Sequence, residues 1–150
     1  LEEFIRKIEK EKIPLLGICF GHQIIAQALG GTVEKFSGGW SVGIQEYNWN
    51  GESMYLNAWH QDQVIKKPRK AKVLAESAFC KYAALSYGNT ILTTQPHPEF
   101  THEVIKGLVE TRGKGRVPEN LLNEALSNFD MEVSLNEIVN KFSTLLHGGR

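Results

Sequence analysis

The segment Leu15-Leu16-Gly17-Ile18-Cys19-Phe20-Gly21-His22-Gln23 restricts the fold of this chain more than any other stretch. A short apolar run of strand length gives way at once to a helical pattern, with one cysteine at the junction and a glycine on either side of it. A side chain presented at such a strand-to-helix turn sits on strained backbone, and the helix packs back closely on the strand, so small neighbours are needed. Gly17 and Gly21 are read as meeting that need. The helix that follows would aim its free N–H groups and positive dipole end at Cys19, an arrangement that favours the thiolate that attacks carbonyl carbon. Chemistry rather than packing is therefore expected at Cys19.

The apolar pattern on both sides places this junction in an α/β chain. Phe4, Ile5 and Ile8 recur at helical spacing among Glu and Lys, and Ile13 to Ile18 forms a run of strand length. Ile24, Ile25, Ala28 and Leu29 continue a helical stripe after the elbow, and Gly30-Gly31 supplies the left-handed stop of a helix C-terminus. From Thr32 to Thr94 the chain is β-rich, with strand-like runs at Ser41 to Asn48, Ser53 to Trp59, Ala71 to Glu76, Tyr82 to Tyr87 and Thr90 to Gln95. The turns Asn50-Gly51 and Gly88-Asn89 predict antiparallel hairpins beside a parallel core.

Beyond the break Pro96-His97-Pro98, Val104, Ile105, Leu108 and Val109 mark another amphipathic helix, ended by a basic connector from Arg112 to Arg116. Two more helices are predicted in the C-terminal part, 116–147, at Glu119 to Phe129 and Ser134 to His147. The second carries Leu135, Ile138, Val139, Phe142, Leu145 and Leu146 on one face, read as core or as the surface of a homodimer. Gly148-Gly149-Arg150 reads as a frayed tail. No internal repeat and no low-complexity stretch interrupts this order.

With 41% hydrophobic and 23% charged residues, 150 residues are enough for one domain with a real core. Lys plus Arg and Asp plus Glu both total 17, so no net field selects nucleic acid or an anionic membrane, and a small neutral or zwitterionic substrate suits the balance. Cys19 and Cys80 are too few for a disulfide framework, and no apolar stretch approaches the ~20 residues of a membrane span. A cytoplasmic location is expected. The chain shows no signal-peptide pattern and opens inside an amphipathic helix, from Leu1 to Lys12, so it is expected to begin within a domain.

A thiolate nucleophile needs a base to take its proton and return it to the leaving amine, and the base needs an orienting group. His97 and Glu99 offer both. At i and i+2 in extended chain their side chains share a face, so the carboxylate could hold one imidazole nitrogen while the other faces Cys19. Pro96 and Pro98 restrict the backbone on either side of His97 at the end of the Thr90 to Gln95 strand.

Three motifs in order, Gly17-Ile-Cys19-Phe-Gly21-His-Gln23, His60-Gln-Asp62-Gln-Val64 and Gln95-Pro-His97-Pro-Glu99, resemble those of class I (triad-type) glutamine amidotransferases over roughly Ile13 to Glu110. Gly38-Gly39-Trp40 with Val42-Gly43 further resembles a stand-alone, GMP-synthase-like branch that also contains γ-glutamyl peptidases. The resemblance implies a flavodoxin-like α/β fold, a mostly parallel sheet flanked by helices, with a β-rich antiparallel insertion. It implies Cys19 as nucleophile, His97 as general acid/base, Glu99 as orienter and the backbone N–H of Phe20 as one oxyanion donor. Gln23, Gln61 and Asp62 are the implied contacts to the substrate, and no cofactor or metal is called for. The implied reaction is hydrolysis of the γ-amide of glutamine through a γ-glutamyl thioester, releasing glutamate and ammonia, with any ammonia acceptor expected on a separate synthetase subunit or on an extension of this chain.

In the family the second oxyanion donor comes from a glycine-containing loop that would lie upstream of Leu1, together with the first strands. The chain by itself is therefore expected to be catalytically incomplete and part of a longer protein. Two other readings stand beside the glutaminase: a γ-glutamyl peptidase using the same triad, and a non-catalytic regulatory or dimerising module. A metal site from Cys19, His60, His97 and Glu99 is not demanded by any spacing, since CxxC and HExxH are both absent. No Gly-Lys-Ser/Thr ending makes Gly17 to Gln23 a phosphate loop. Trp40, Tyr47, Trp49, Tyr55 and Trp59 lack interleaved basic residues and read as sheet packing. Cys80, His22, His102 and His147 read as structural.

Overall fold

The structure is a computed structural model that describes residues 1–147, with side chains described through residue 144. The tail Gly148 to Arg150 and the side chains of Leu145, Leu146 and His147 lie outside the described residues. Helix α1 (Glu2–Glu11) leads into strand β1 (Leu15–Ile18), the elbow at Cys19 and helix α2 (Phe20–Ala28). Strands β2 (Thr32–Lys35), β3 (Ser41–Trp49), β4 (Glu52–His60), β5 (Asp62–Lys66), β6 (Lys72–Glu76), β7 (Ala84–Tyr87) and β8 (Ile91–Thr94) follow. Helix α3 (His102–Leu108) continues into a wider π turn over Val109–Gly113, and α4 (Glu119–Ser127) and α5 (Leu135–His147) complete the order.

The main sheet runs β1-β8-β7-β6-β3-β4, and β2 pairs with β5 in a separate two-stranded sheet. Among the described residues only β1 and β8 pair in parallel, so the α/β architecture holds but its expected mostly parallel character is corrected here. Short turns are the cause. Asn50 and Gly51 both adopt positive φ, at 51° and 95°, as a two-residue hairpin requires, and they close β3 on β4 from Trp49↔Glu52 to Ser41↔His60. Gly88, at φ 61°, reverses β7 into β8 likewise. Only the long path from β1 to β8, with α2 and the other strands between them, allows a parallel neighbour. The antiparallel strands extend the main sheet instead of forming a separate insertion, and β2 and β5 are strands that the apolar pattern does not single out.

Both β7 and β8 are buried along their whole length, because helices and strands cover each face. Ile5, Ile25, Leu85, Tyr87 and Ile91 pack where α1 and α2 lie on the sheet. Val42, Ile105, Val109, Leu122 and Ala125 join α3 and α4 to β3. Gly43 makes that contact possible: at φ 75°, an added Cβ would stand 2.7 Å from Ala125 Cβ. A third cluster contains Tyr47, Trp49, Met54, Leu56 and Ile138, with Phe142 packed against it. Among the described side chains of the α5 stripe, Ile138 and Phe142 meet the sheet, while Leu135 and Val139 are exposed. Val104 of α3 is exposed too, because Ile105 and Val109 occupy the buried face alone.

Candidate active site

Cys19 stands where β1 passes into α2 and adopts φ 50° and ψ −102°, outside the regions an L-residue favours. Two backbone hydrogen bonds hold it there. Its N–H donates to the Thr94 carbonyl at 2.8 Å, extending the β1–β8 ladder by one residue, and its carbonyl accepts from Gln23 N–H at 3.0 Å to start the helix. The side chain is half-buried. Phe20 opens α2, so its N–H belongs to the helix-start donors that lack an intrahelical partner.

The two glycines of the elbow differ. A Cβ on Gly17 would meet Ile25 Cδ1 at 2.7 Å and the Gly21 backbone at 2.8 and 2.9 Å, whereas a Cβ on Gly21 would meet nothing within 4 Å. The need for a small residue falls on Gly17. Gly21 is the backbone it lies against.

His97 arrives at the same place from the next strand. The register Ile18↔Thr94 brings the end of β8 beside the end of β1, and His97 follows three residues later. Its N–H donates to the Asn57 carbonyl at 2.8 Å, and Asn57 Nδ2 donates to the Phe100 carbonyl at 2.9 Å. Phe100 N–H closes back on the His97 carbonyl at 3.2 Å, so residues 97–100 form a tight turn rather than the expected extended chain. Across this turn His97 Nδ1 and Glu99 Oε1 lie 2.7 Å apart. The Phe100 ring stacks on the imidazole at 3.8 Å between centroids, 9° from parallel.

Burial alone would pull the His97 imidazole down. Hydrogen bonding to Cys19 and then to Glu99 outweighs burial, and His97 is held up at about 9. For Glu99, partial burial works upward, but its bond to His97 outweighs it and keeps the carboxyl below its ordinary range. The cysteine, histidine and glutamate singled out from the sequence thus stand together at the ends of β1 and β8.

Cys19 opens into a cleft of about 340 Å³ lined by Gln23, Lys35, Trp40, Trp59, His60, Gln61 and Asp62. Gln23, Gln61 and Asp62 are therefore beside the cysteine, but much of their polarity is already engaged. Gln23 Nε2 donates to the Asp62 carbonyl at 2.9 Å and to Gln95 Oε1 at 3.1 Å. The Gln61 carbonyl accepts from Phe36 N–H at 3.0 Å. His60 is buried with Nδ1 3.3 Å from the Asp62 carbonyl; burial, supplemented by the charge of His97, pushes it down to about 4 against that bond. His22 is wholly buried, with Nδ1 2.8 Å from Thr93 Oγ1, and burial pushes it down to about 3. His102 Nε2 donates to the Met131 carbonyl at 3.0 Å. Among the described residues no group of three or more His, Cys, Asp or Glu side chains is placed to hold a metal ion. No described helix is long and apolar enough to cross a membrane.

Sequence reasoning assigned no role to Lys35, Asn57 or the Gln95 side chain, and read Trp40 and Trp59, whose rings lie 6.2 Å apart on the cleft wall, as sheet packing. For Asn57 a signal existed: a polar residue in the otherwise apolar run from Met54 to Trp59 has to satisfy its amide inside the protein. Lys35 offered none, since a lysine ending an exposed strand is ordinary.

Fold and site together define an α/β domain with a cysteine at a strand-to-helix elbow and a carboxylate-bound histidine beside it, past the end of the neighbouring strand. The family model for class-I glutamine amidotransferases matches residues 1–110, and the chain belongs to that family. Among its relatives, γ-glutamyl peptidase 5 of Arabidopsis thaliana is 31% identical over 119 residues, covering 70% of this chain and 47% of that protein. One subunit of the glutamine-hydrolysing GMP synthase of Saccharolobus solfataricus is 38% identical over 105 residues, covering 63% of this chain and 55% of that protein. The fold matches the crystal structure of a glutamine amidotransferase from Thermotoga maritima with a TM-score of 0.75 at 22% identity, over 97% of this chain and 68% of that one. The chain spans about half the length of the curated relatives it matches.

Proposed function

We propose that this domain hydrolyses the γ-amide of glutamine, with Cys19 as nucleophile, His97 as general acid/base and Glu99 as its orienting carboxylate. The observation that carries this reading is the 2.7 Å His97–Glu99 contact facing a cysteine held in a strained elbow one strand away. His97, held up at about 9, already carries the proton, and the Cys19 sulfur attacks the γ-carbonyl carbon as the thiolate of that pair. The carbonyl oxygen becomes an oxyanion, for which the Phe20 N–H is one donor. On collapse the C–N bond breaks, His97 returns the proton to the leaving nitrogen and ammonia departs, leaving a γ-glutamyl thioester. Water, activated by the same imidazole, then releases glutamate and restores Cys19.

Lys35 and Asp62 support a zwitterionic amino-acid end for the substrate. They are partners across the β2–β5 pairing and both line the cleft, so one can face an α-carboxylate and the other an α-ammonium group. The relation to glutamine-hydrolysing GMP synthase subunits supports passage of the ammonia to a separate synthetase chain that holds the acceptor. A second reading has its own support, since several relatives are named γ-glutamyl peptidases at 29–31% identity: the same triad would release an amino acid or peptide from a γ-glutamyl peptide.

Turnover of glutamine compared with γ-glutamyl dipeptides by the full-length protein separates the two, and equal inertness toward both would sink each. Labelling by an electrophilic glutamine analogue, followed by peptide mapping, tests the shared mechanism. Label is expected at Cys19. A folded protein left unlabelled there overturns the nucleophile assignment.

A further inference from the structure

Gln95 is a fully buried amide just past the end of β8, and both ends of its side chain are engaged. Its Nε2 lies 3.6 Å from Cys19 Sγ, a normal reach for a hydrogen bond to sulfur, and its Oε1 accepts from Gln23 Nε2 at 3.1 Å. Side-chain amides can usually be turned over, because oxygen and nitrogen have nearly the same shape. A backbone carbonyl removes that freedom here. The Asp62 carbonyl oxygen, 2.9 Å from Gln23, can only accept, so Gln23 has to present its NH2 group there. The other hydrogen of that NH2 meets Gln95, which has to answer with its oxygen. Gln95 is then left with its own NH2 group toward the sulfur. Turning it over would break the bond to Gln23 and set an oxygen against Cys19.

We propose that Gln95 is a positioning residue, locked by Gln23 and the Asp62 carbonyl in the one orientation that donates a hydrogen bond to the Cys19 sulfur. This rests on the reading of Cys19 as the nucleophile. The bond is strongest when the sulfur carries negative charge, that is, before attack and again as sulfur leaves the acyl carbon when the thioester is hydrolysed. It also limits rotation of the Cys19 side chain away from the carbonyl it attacks. Gln95 thereby complements His97, which holds the proton while Gln95 steadies the charge left behind.

The test uses full-length protein and follows alkylation of Cys19 by iodoacetamide over a range of pH, with thermal unfolding as the control for folding. Cys80, buried and pushed up to about 12, serves as an unreactive internal reference. Gln95→Met keeps the side-chain length and removes the donor. It is expected to slow alkylation at neutral pH about tenfold, the lower range for a hydrogen bond to a charged group, and to move the pH profile toward alkaline values. Gln95→Glu retains an acceptor for Gln23 but places an oxygen at the sulfur, and is expected to be slower still. Gln23→Met frees the Gln95 amide and gives a smaller loss, and the Gln23→Met/Gln95→Met pair is expected to be no slower than Gln95→Met alone.

A folded Gln95→Met protein with the wild-type rate and profile would refute the proposal, as would losses that simply multiply in the double variant. Should Gln95→Met not fold, Gln23→Met decides: an unchanged rate overturns the relay. Failure of the nucleophile reading looks different, because the wild-type protein itself would then take no label at Cys19 from a glutamine-like electrophile.

Discussion

Replacing Gly17 by alanine sets a methyl group against the part of the structure least able to yield. Its Cβ would stand 2.8 and 2.9 Å from the carbonyl carbon and oxygen of Gly21, and 2.7 Å from Ile25 Cδ1. The Ile25 methyl can swing aside, but the Gly21 backbone belongs to the first turn of α2. Restoring ordinary contact requires β1 and α2 to part by roughly 0.6 Å or more. Overpacking of this kind costs about 1–3 kcal/mol, and an obstacle made of backbone places Gly17→Ala in the upper half of that range. In urea that corresponds to a midpoint about 1 M lower. The same displacement moves Cys19 and the Phe20 N–H relative to β8, so turnover should fall further than stability does.

Gly21→Ala supplies the contrast. No atom lies within 4 Å of its added Cβ, and alanine in a helix is favoured over glycine by up to about 1 kcal/mol. Stability is therefore expected to hold or rise slightly. Equilibrium unfolding of both variants by far-UV circular dichroism measures the difference. A Gly17→Ala protein within about 0.5 kcal/mol of wild type, or a Gly21→Ala protein equally destabilised, would refute the assignment of close approach to Gly17 alone.

Three further outcomes are expected. His22 titrates at about 3 when folded and near 6.5 when unfolded, so the unfolded chain binds more protons in that window; stability falls as pH drops below about 6.5, His22 accounting for about 2 kcal/mol at pH 5, and His22→Gln should flatten the urea midpoint against pH by that amount. His97 runs the other way: held up at about 9, its stabilising contribution is complete below the unfolded value of 6.5 and is lost as pH rises through 9, and a glutamine-hydrolysis profile should decline in the same alkaline window as the imidazolium that protonates the leaving nitrogen disappears. Asn57→Ala removes the 2.9 Å bond to the Phe100 carbonyl and should cost about 1–3 kcal/mol while lowering kcat, measured by unfolding and steady-state kinetics; an unchanged kcat would mean that the 97–100 turn holds His97 without it.

Why some of this was legible in one dimension and some was not follows from the range of the interactions. The strand, elbow and helix around Cys19 depend on local backbone rules, and so do the hairpins at Asn50-Gly51 and Gly88-Asn89, which is why they were read within a residue or two of their final bounds. The exposure of Leu135, Val139 and Val104 was not readable, because an apolar stripe states only that something apolar is available to cover it. Which edge of the stripe meets the sheet depends on the tilt of the whole helix. The predominance of antiparallel pairing was likewise hidden, since strand runs carry little record of the direction of their neighbours.

The amino-acid sequence by itself determined that a cysteine would be presented at a strand-to-helix turn and that a histidine with a nearby carboxylate would follow a strand later in the chain. Those statements concern residues close together in sequence, and backbone sterics decide them. Only the tertiary structure decided that β1 and β8 lie side by side in register, which brings Cys19 and His97 to neighbouring strand ends. It alone distinguished Gly17 from Gly21, turned residues 97–100 onto Asn57, and set the Gln95 amide between Gln23 and the sulfur. The last two are contacts across dozens of residues and the first is the close approach of α2 to β1, and the geometry of each depends on how helices and sheet pack rather than on what any segment prefers alone.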